Sequence, residues 1–227
     1  MLTELKHRVY EANLGLVKRN LVLYSWGNVS GIDRDENLIV IKPSGVLYEN
    51  LTPFEMVVVD LNGRVVDGNL KPSSDTLTHI ELYKAFPGIG AIVHTHSTYA
   101  VAWAQACKPI PVYGTTHADH FSGPVPCTRM LTQQEVESAY EKETGRVIVE
   151  TFKDIDPLHV PGVLVGNHGP FTWGETPEKA VYNAAVLEEV ARMAWLSVQL
   201  GAAGPIPDYL LAKHFNRKHG KNAYYGQ

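Results

Sequence analysis

Cysteine is scarce in this 227-residue chain: Cys107 and Cys127 are too few for a disulfide scaffold or a thiolate metal site. Long apolar runs are missing too. No uninterrupted stretch reaches the roughly 18 residues of a membrane-spanning helix. Positive charge is not in excess either, since the formal net charge is −4, and a nucleic-acid partner is not expected. Met1 to Tyr10 is charged and amphipathic and lacks the apolar core of a signal peptide. Neither an internal repeat nor a domain boundary stands out. What remains is 44% apolar and 19% charged, the make-up of an ordinary globular chain large enough to bury a core. A reducing, cytoplasmic setting with no membrane partner fits these absences.

The pattern that is present mixes helices and strands. Leu2, Leu5, Val9, Ala12 and Leu16 recur in three- and four-residue steps, the stripe of an amphipathic helix. Leu38 to Lys42 reads as a strand. Val57–Asp60 and Arg64–Val66 flank Leu61-Asn62-Gly63, a strong hairpin signal. Ser73-Ser74-Asp75 offers caps for a helix over Thr76–Phe86, which Pro87-Gly88 ends. A strand carrying His94 and His96 follows, then helices over Tyr99–Ala106 and Thr132–Thr144. Val147-Ile148-Val149 fits either state. Val163–Asn167 reads as a strand running into His168-Gly169-Pro170. Thr176 and Pro177 open a long helix from Glu178 to about Leu200. Beyond the linker-like Gly201–Pro207 lies a short basic tail. The expectation is one mixed α/β domain over residues 1–227.

Chemistry enters with His94 and His96. On a strand, positions i and i+2 project from one face roughly 6.6–6.8 Å apart, so two imidazoles can converge on one ion. Solvent-facing polar residues would show the same spacing. His168, at a strand's end, is a third candidate, although a single histidine is more often an ordinary turn residue. Three histidines with a carboxylate make a zinc shell, the carboxylate being fully or weakly attached. Asp75 can supply that carboxylate, or it can cap a helix. Trp26–Ser30, Lys42–Gly45 and Lys71–Ser74 are turns rich in Gly, Ser and Asn that can present N–H groups and hydroxyls to a phosphate. Asp119, in Gly114-Thr-Thr-His-Ala-Asp-His, is either a polar loop residue or a general base whose pKa a cleft raises. Cys127 reads as a small buried residue. The adjacent Tyr224 and Tyr225 suggest docking rather than a frayed end.

In order, SWGNVS (25–30), IKPSGV (41–46), KPSSDT (71–76), IVHTHS (92–97), GTTHAD (114–119), PGVLVGNHGPF (161–171) and the terminal KHG…AYYGQ span almost the whole chain. This ordered set resembles the class II aldolase/adducin-head family, and the terminal segment resembles its ribulose-phosphate epimerase branch. The resemblance implies a three-layer α/β/α fold with a mostly antiparallel central sheet and a four-fold symmetric homotetramer with active sites between subunits. It implies one Zn2+ per subunit, held by His94, His96 and His168 with Asp75 as a further ligand. Gly27, Asn28, Ser44, Gly45, Ser73 and Ser74 would line the pocket for a phosphorylated ketopentose. Asp119 would be the catalytic base and Tyr225, from an adjacent subunit, its acid partner on the opposite face of carbon 4. Thr115, Glu141 and His214 match supporting positions. The implied reaction converts L-ribulose 5-phosphate to D-xylulose 5-phosphate by cleavage and re-addition, in arabinose or ascorbate breakdown. A sugar-phosphate aldolase of the fuculose or rhamnulose 1-phosphate type is the alternative. The family pattern has His-Ser where this chain has Gly166-Asn167, beside a ligand position rather than at one.

Overall fold

The N-terminal apolar stripe folds as α1 (Thr3–Lys18), and the computed structural model describes residues 2–221 and 223–225. After α1 come β1 (Asn28–Asp33), β2 (Leu38–Ile41), β3 (Val57–Asp60), β4 (Val65–Asp67), α2 (Thr76–Ala85), β5 (Ala91–His94) and α3 (Thr98–Gln105). The one-turn α4 (Thr115–Ala118), α5 (Gln133–Thr151), β6 (Gly162–Leu164), β7 (Pro170–Gly174), α6 (Pro177–Gln199) and α7 (Asp208–His219) complete the chain. The strands form one seven-stranded sheet in the order β4-β3-β2-β1-β5-β7-β6, and its ladders are antiparallel. Among the described residues, no helix is long and apolar enough to cross a membrane.

Alternation along the strands sorts side chains onto two faces. Ile39, Val57, Val59, Ile92, Phe171 and Trp173 share one core with α2, α3 and α5. Val29, Val40, Val58, Ala91 and Val93 share a second core with α1 and the start of α6. Helices therefore cover both faces, which is the expected α/β/α layering. Phe171 and Trp173 are fully buried, and burying a large apolar side chain contributes about 1.5–3 kcal/mol. The strand ends beneath the site are consequently well anchored.

Two strands escape sequence reasoning. β1 contains Asn, Ser, Gly and Asp, all poor strand formers. It is nonetheless central, because Gly31 admits α1: a Cβ there would meet Leu5 Cδ1 at 2.9 Å and Val9 Cγ2 at 3.0 Å. β7 opens on Pro170 and closes on Gly174, which hides it equally well. Other boundaries also shift. The strand expected to carry both histidines stops at His94, so His96 sits in the loop that follows. The strand expected over Val163–Asn167 closes at Leu164, because the chain turns at Asn167 (φ 61°) and Val165 N donates to Gly169 O. Val147–Val149 are helical within α5. The basic tail is the helix α7, anchored by the buried Phe215.

Candidate active site

β1, β5 and β7 run side by side and end together. Asn28 lies opposite His94 in one ladder, and His94 opposite Phe171 in the next. The His94 ring stacks on Phe171, with centroids 4.2 Å apart and planes 17° apart. Its Nδ1 lies 3.0 Å from the Pro170 carbonyl, so Nδ1 carries the proton and Nε2 keeps its lone pair. His96 Nε2 stands 3.0 Å from that Nε2. The His168 ring lies 4.7 Å from His94 and 5.3 Å from His96, centroid to centroid. One nitrogen from each of the three rings lies within 4.8 Å of the other two.

This arrangement suits a divalent ion. Bonds of about 2.0–2.1 Å to tetrahedral zinc would put the nitrogens about 3.3 Å apart, so small side-chain adjustments close the cluster on an ion. Burial lowers the pKa of His168 to about 4 and lowers that of His96 too. Both rings are then neutral near pH 7, as metal ligation requires.

Asp75 opens α2 but makes no side-chain capping bond. Its carboxylate instead accepts from Asn28 Nδ2 at 2.7 Å. Burial alone would raise its pKa, yet the neighbouring His94 and His79 and the Asn28 bond hold it below the usual carboxylate range. It walls the same cavity as the histidines but lies outside their mutually close set.

That cavity, about 480 Å³, brings together Gly27, Asn28, Ser44, Gly45, Ser73 and Ser74 with Asp75 and the three histidines. Asn28 Oδ1 is buried without a partner among the described residues, an acceptor left over for a ligand. Glu141 also lines the wall.

Tyr140 is a cavity residue that sequence reasoning passed over, and Lys42, expected only as part of a phosphate-binding turn, also lines the wall. Lys42 is only 1% exposed, and its amine donates to the Ser25 carbonyl at 3.2 Å. Burial brings its pKa down to about 8. A lysine closing the apolar run Leu38–Ile41 was a usable signal. Tyr140 had none, because nothing marks the break in α5 that aims it.

Asp119 and Tyr225 do not line this cavity. Asp119 follows α4 and is gripped by α7: His214 Nδ1 lies 3.0 Å from Oδ1, and Arg217 Nη2 donates to Oδ2 at 2.9 Å. Burial would raise the Asp119 pKa, but the bonds from Arg217 and His214 outweigh it and hold the carboxylate below its usual range. The raised pKa anticipated for a cleft-bound base is thus absent in this chain by itself. The Arg217 guanidinium also stands 4.2 Å from the Tyr225 ring centre, so one cation gathers both residues. Thr115 opens α4, and its carbonyl accepts from the Asp119 N–H at 2.9 Å.

Comparison with known proteins agrees with this geometry. Residues 7–195 match the family described as Class II Aldolase and Adducin N-terminal domain. The chain is 56% identical over 225 residues, covering 99% of both proteins, to L-ribulose-5-phosphate 4-epimerase UlaF of Salmonella paratyphi B and to its counterpart of Salmonella typhi. Among solved structures, an L-fuculose 1-phosphate aldolase matches with a TM-score of 0.80 and 26% identity, covering 94% of this chain and 95% of that one. The L-fuculose-1-phosphate aldolase of Thermus thermophilus matches with a TM-score of 0.65 and 25% identity, covering 88% of this chain and 99% of that one. A histidine trio at the ends of adjacent strands, walled by serine-rich turns, therefore sits on a shared scaffold, and this chain belongs to the class II aldolase/adducin family.

Proposed function

We propose that this chain is an isomerase that interconverts L-ribulose 5-phosphate and D-xylulose 5-phosphate by inverting carbon 4. The observation that carries this reading is 56% identity over essentially the full length to proteins named for that reaction. The cavity has the groups the chemistry needs. The hydrogen on carbon 4 is not adjacent to the ketone, so direct proton removal is difficult. Breaking the bond between carbons 3 and 4 avoids that barrier, and turning the aldehyde half before re-addition inverts the centre.

His94, His96 and His168, with Asp75 beside them, would hold Zn2+. When bound, the ion supplies Lewis-acid stabilisation of the charge left on the carbonyl side. The turns carrying Ser44, Gly45, Ser73 and Ser74 hold the phosphate, so the aldehyde half is retained between cleavage and re-addition. Gly27 and Asn28 line the sugar end, where the unpaired Asn28 Oδ1 accepts a hydroxyl. Asp119 and Tyr225 exchange protons with the oxygen on carbon 4. Because both lie away from their own chain's cavity, they serve the cavity of a neighbouring copy, in keeping with a homotetramer. Arg217 and His214 hold the Asp119 carboxylate ionised, ready to accept a proton. Two free cysteines suit a reducing, cytoplasmic setting.

The structural match to an L-fuculose 1-phosphate aldolase favours a second reading, in which the two fragments are released. Incubation with L-ribulose 5-phosphate, followed by 13C NMR of every product, separates the two. Xylulose 5-phosphate alone, with conversion stopped by a chelator, is expected. Accumulation of free glycolaldehyde phosphate without xylulose 5-phosphate would replace epimerase by aldolase.

A further inference from the structure

Tyr140 stands where α5 breaks. Ala139 leaves helical geometry (φ −157°, ψ 65°), and the helix resumes with Tyr140 against the cavity. Two bonds fix the resumed turn: Thr78 Oγ1 donates to the Glu141 carbonyl at 2.6 Å, and Thr144 Oγ1 to the Tyr140 carbonyl at 2.8 Å. Gly145 lets α5 lie close to α2, since a Cβ there would meet Glu81 Cβ at 2.7 Å. The backbone beneath Tyr140 is thus clamped from two sides.

The Tyr140 hydroxyl lies 3.3 Å from His168 Nδ1. Among the described residues, the His168 ring has no other hydrogen-bond partner, whereas His94 is held by the Pro170 carbonyl.

We propose that Tyr140 is a positioning residue for the metal centre: its oxygen accepts the Nδ1 proton of His168 and turns that ring so that Nε2 faces the ion. The inference rests on the reading of the three histidines as metal ligands. The opposite polarity, with the phenol donating to Nδ1, would leave the proton on Nε2 and remove a ligand. Metal binding therefore selects the arrangement in which the tyrosine oxygen accepts. A hydrogen-bond acceptor behind a ligating imidazole fixes its tautomer and raises its basicity, and losing one typically costs about 10–100-fold in metal affinity.

The test is Tyr140→Phe, which keeps the ring and deletes the oxygen, compared with wild type and His168→Ala. Zinc affinity is read by competition with a chromogenic chelator, and ligand geometry by the visible spectrum of the cobalt-substituted protein. Thermal unfolding of the metal-free form checks the fold. The expected result is about 10–100-fold weaker zinc binding and an altered cobalt spectrum in Tyr140→Phe, unchanged unfolding, and a far greater loss in His168→Ala. Wild-type affinity and spectrum in Tyr140→Phe, with metal lost from His168→Ala, would overturn the role of Tyr140 and leave the metal centre standing. Wild-type affinity in His168→Ala would overturn both.

Discussion

The cavity at the ends of β1, β5 and β7 and the cluster around Asp119 differ in how complete they are. The cavity is assembled within one chain: three imidazoles converge, and a carboxylate and the serine turns share its wall. The second cluster is ordered but self-satisfied. Asp119 is tied to His214 and Arg217, Arg217 lies over Tyr225, and none of the four lines the cavity. The proposed metal-and-phosphate half is prebuilt because its residues lie on backbone turns and buried strand ends. Asp119, after α4, and Tyr225, beyond α7, are gathered instead by His214 and Arg217 of the C-terminal helix, and on the proposed function they serve the cavity of another copy. On the proposed function, this chain holds both halves of a site but not one site.

Removing the metal half should have the largest effect. His96→Ala is expected to drop zinc from about one ion per chain to near zero and abolish turnover, read by atomic absorption and product formation. Full zinc content in that variant would take His96 out of the ligand set. The proton-transfer half should weigh less. Asp119→Asn and Tyr225→Phe should each lower turnover by about 10²–10⁴-fold with zinc content unchanged. Undiminished turnover in both would break the comparison.

A smaller effect shows in stability, and both regions contribute. His79, behind Asp75, and His117, in α4, are buried and neutral, with pKa values lowered by burial to about 3 and about 4. The unfolded chain takes up these protons near pH 6.5. Between about pH 6.5 and 4 the unfolded state thus binds more protons, and stability rises with pH. That contribution is complete above about pH 6.5 and is lost as pH falls toward the folded values, by on the order of 1.4 kcal/mol per pH unit per group. Thermal unfolding of the metal-free protein from pH 7 to 4 should track this loss. A melting temperature that stays flat to pH 4 would contradict the buried, neutral state.

Much of this was legible because it is written in local chemistry. The Asn62-Gly63 hairpin, the stripe of α1 and the capped α6 follow from periodicity and turn residues alone. The histidine trio was legible too, although for a partly mistaken reason, since His96 sits beyond the strand. What stayed hidden depends on tertiary contact. β1 holds Asn28 for the cavity wall, Ser30 for buried bonds to His79 and Tyr83, and Gly31 for the approach of α1, so its residues answer to tertiary contacts rather than to strand propensity. Tyr140 depends on a helix break with no marker residue. The setting of Asp119 depends on α7, far along the chain, which no local pattern announces.

The most direct measurement of the divided site mixes two inactive chains. Differently tagged His96→Ala and Asp119→Asn chains are co-expressed, and the mixed assemblies are purified and assayed for carbon 4 inversion. If each cavity draws its proton-transfer groups from a neighbour, random mixing restores about a quarter of the wild-type activity per site, because each intact half is present with even odds. Mixed assemblies as inactive as either parent would place both halves in a single chain and contradict the account.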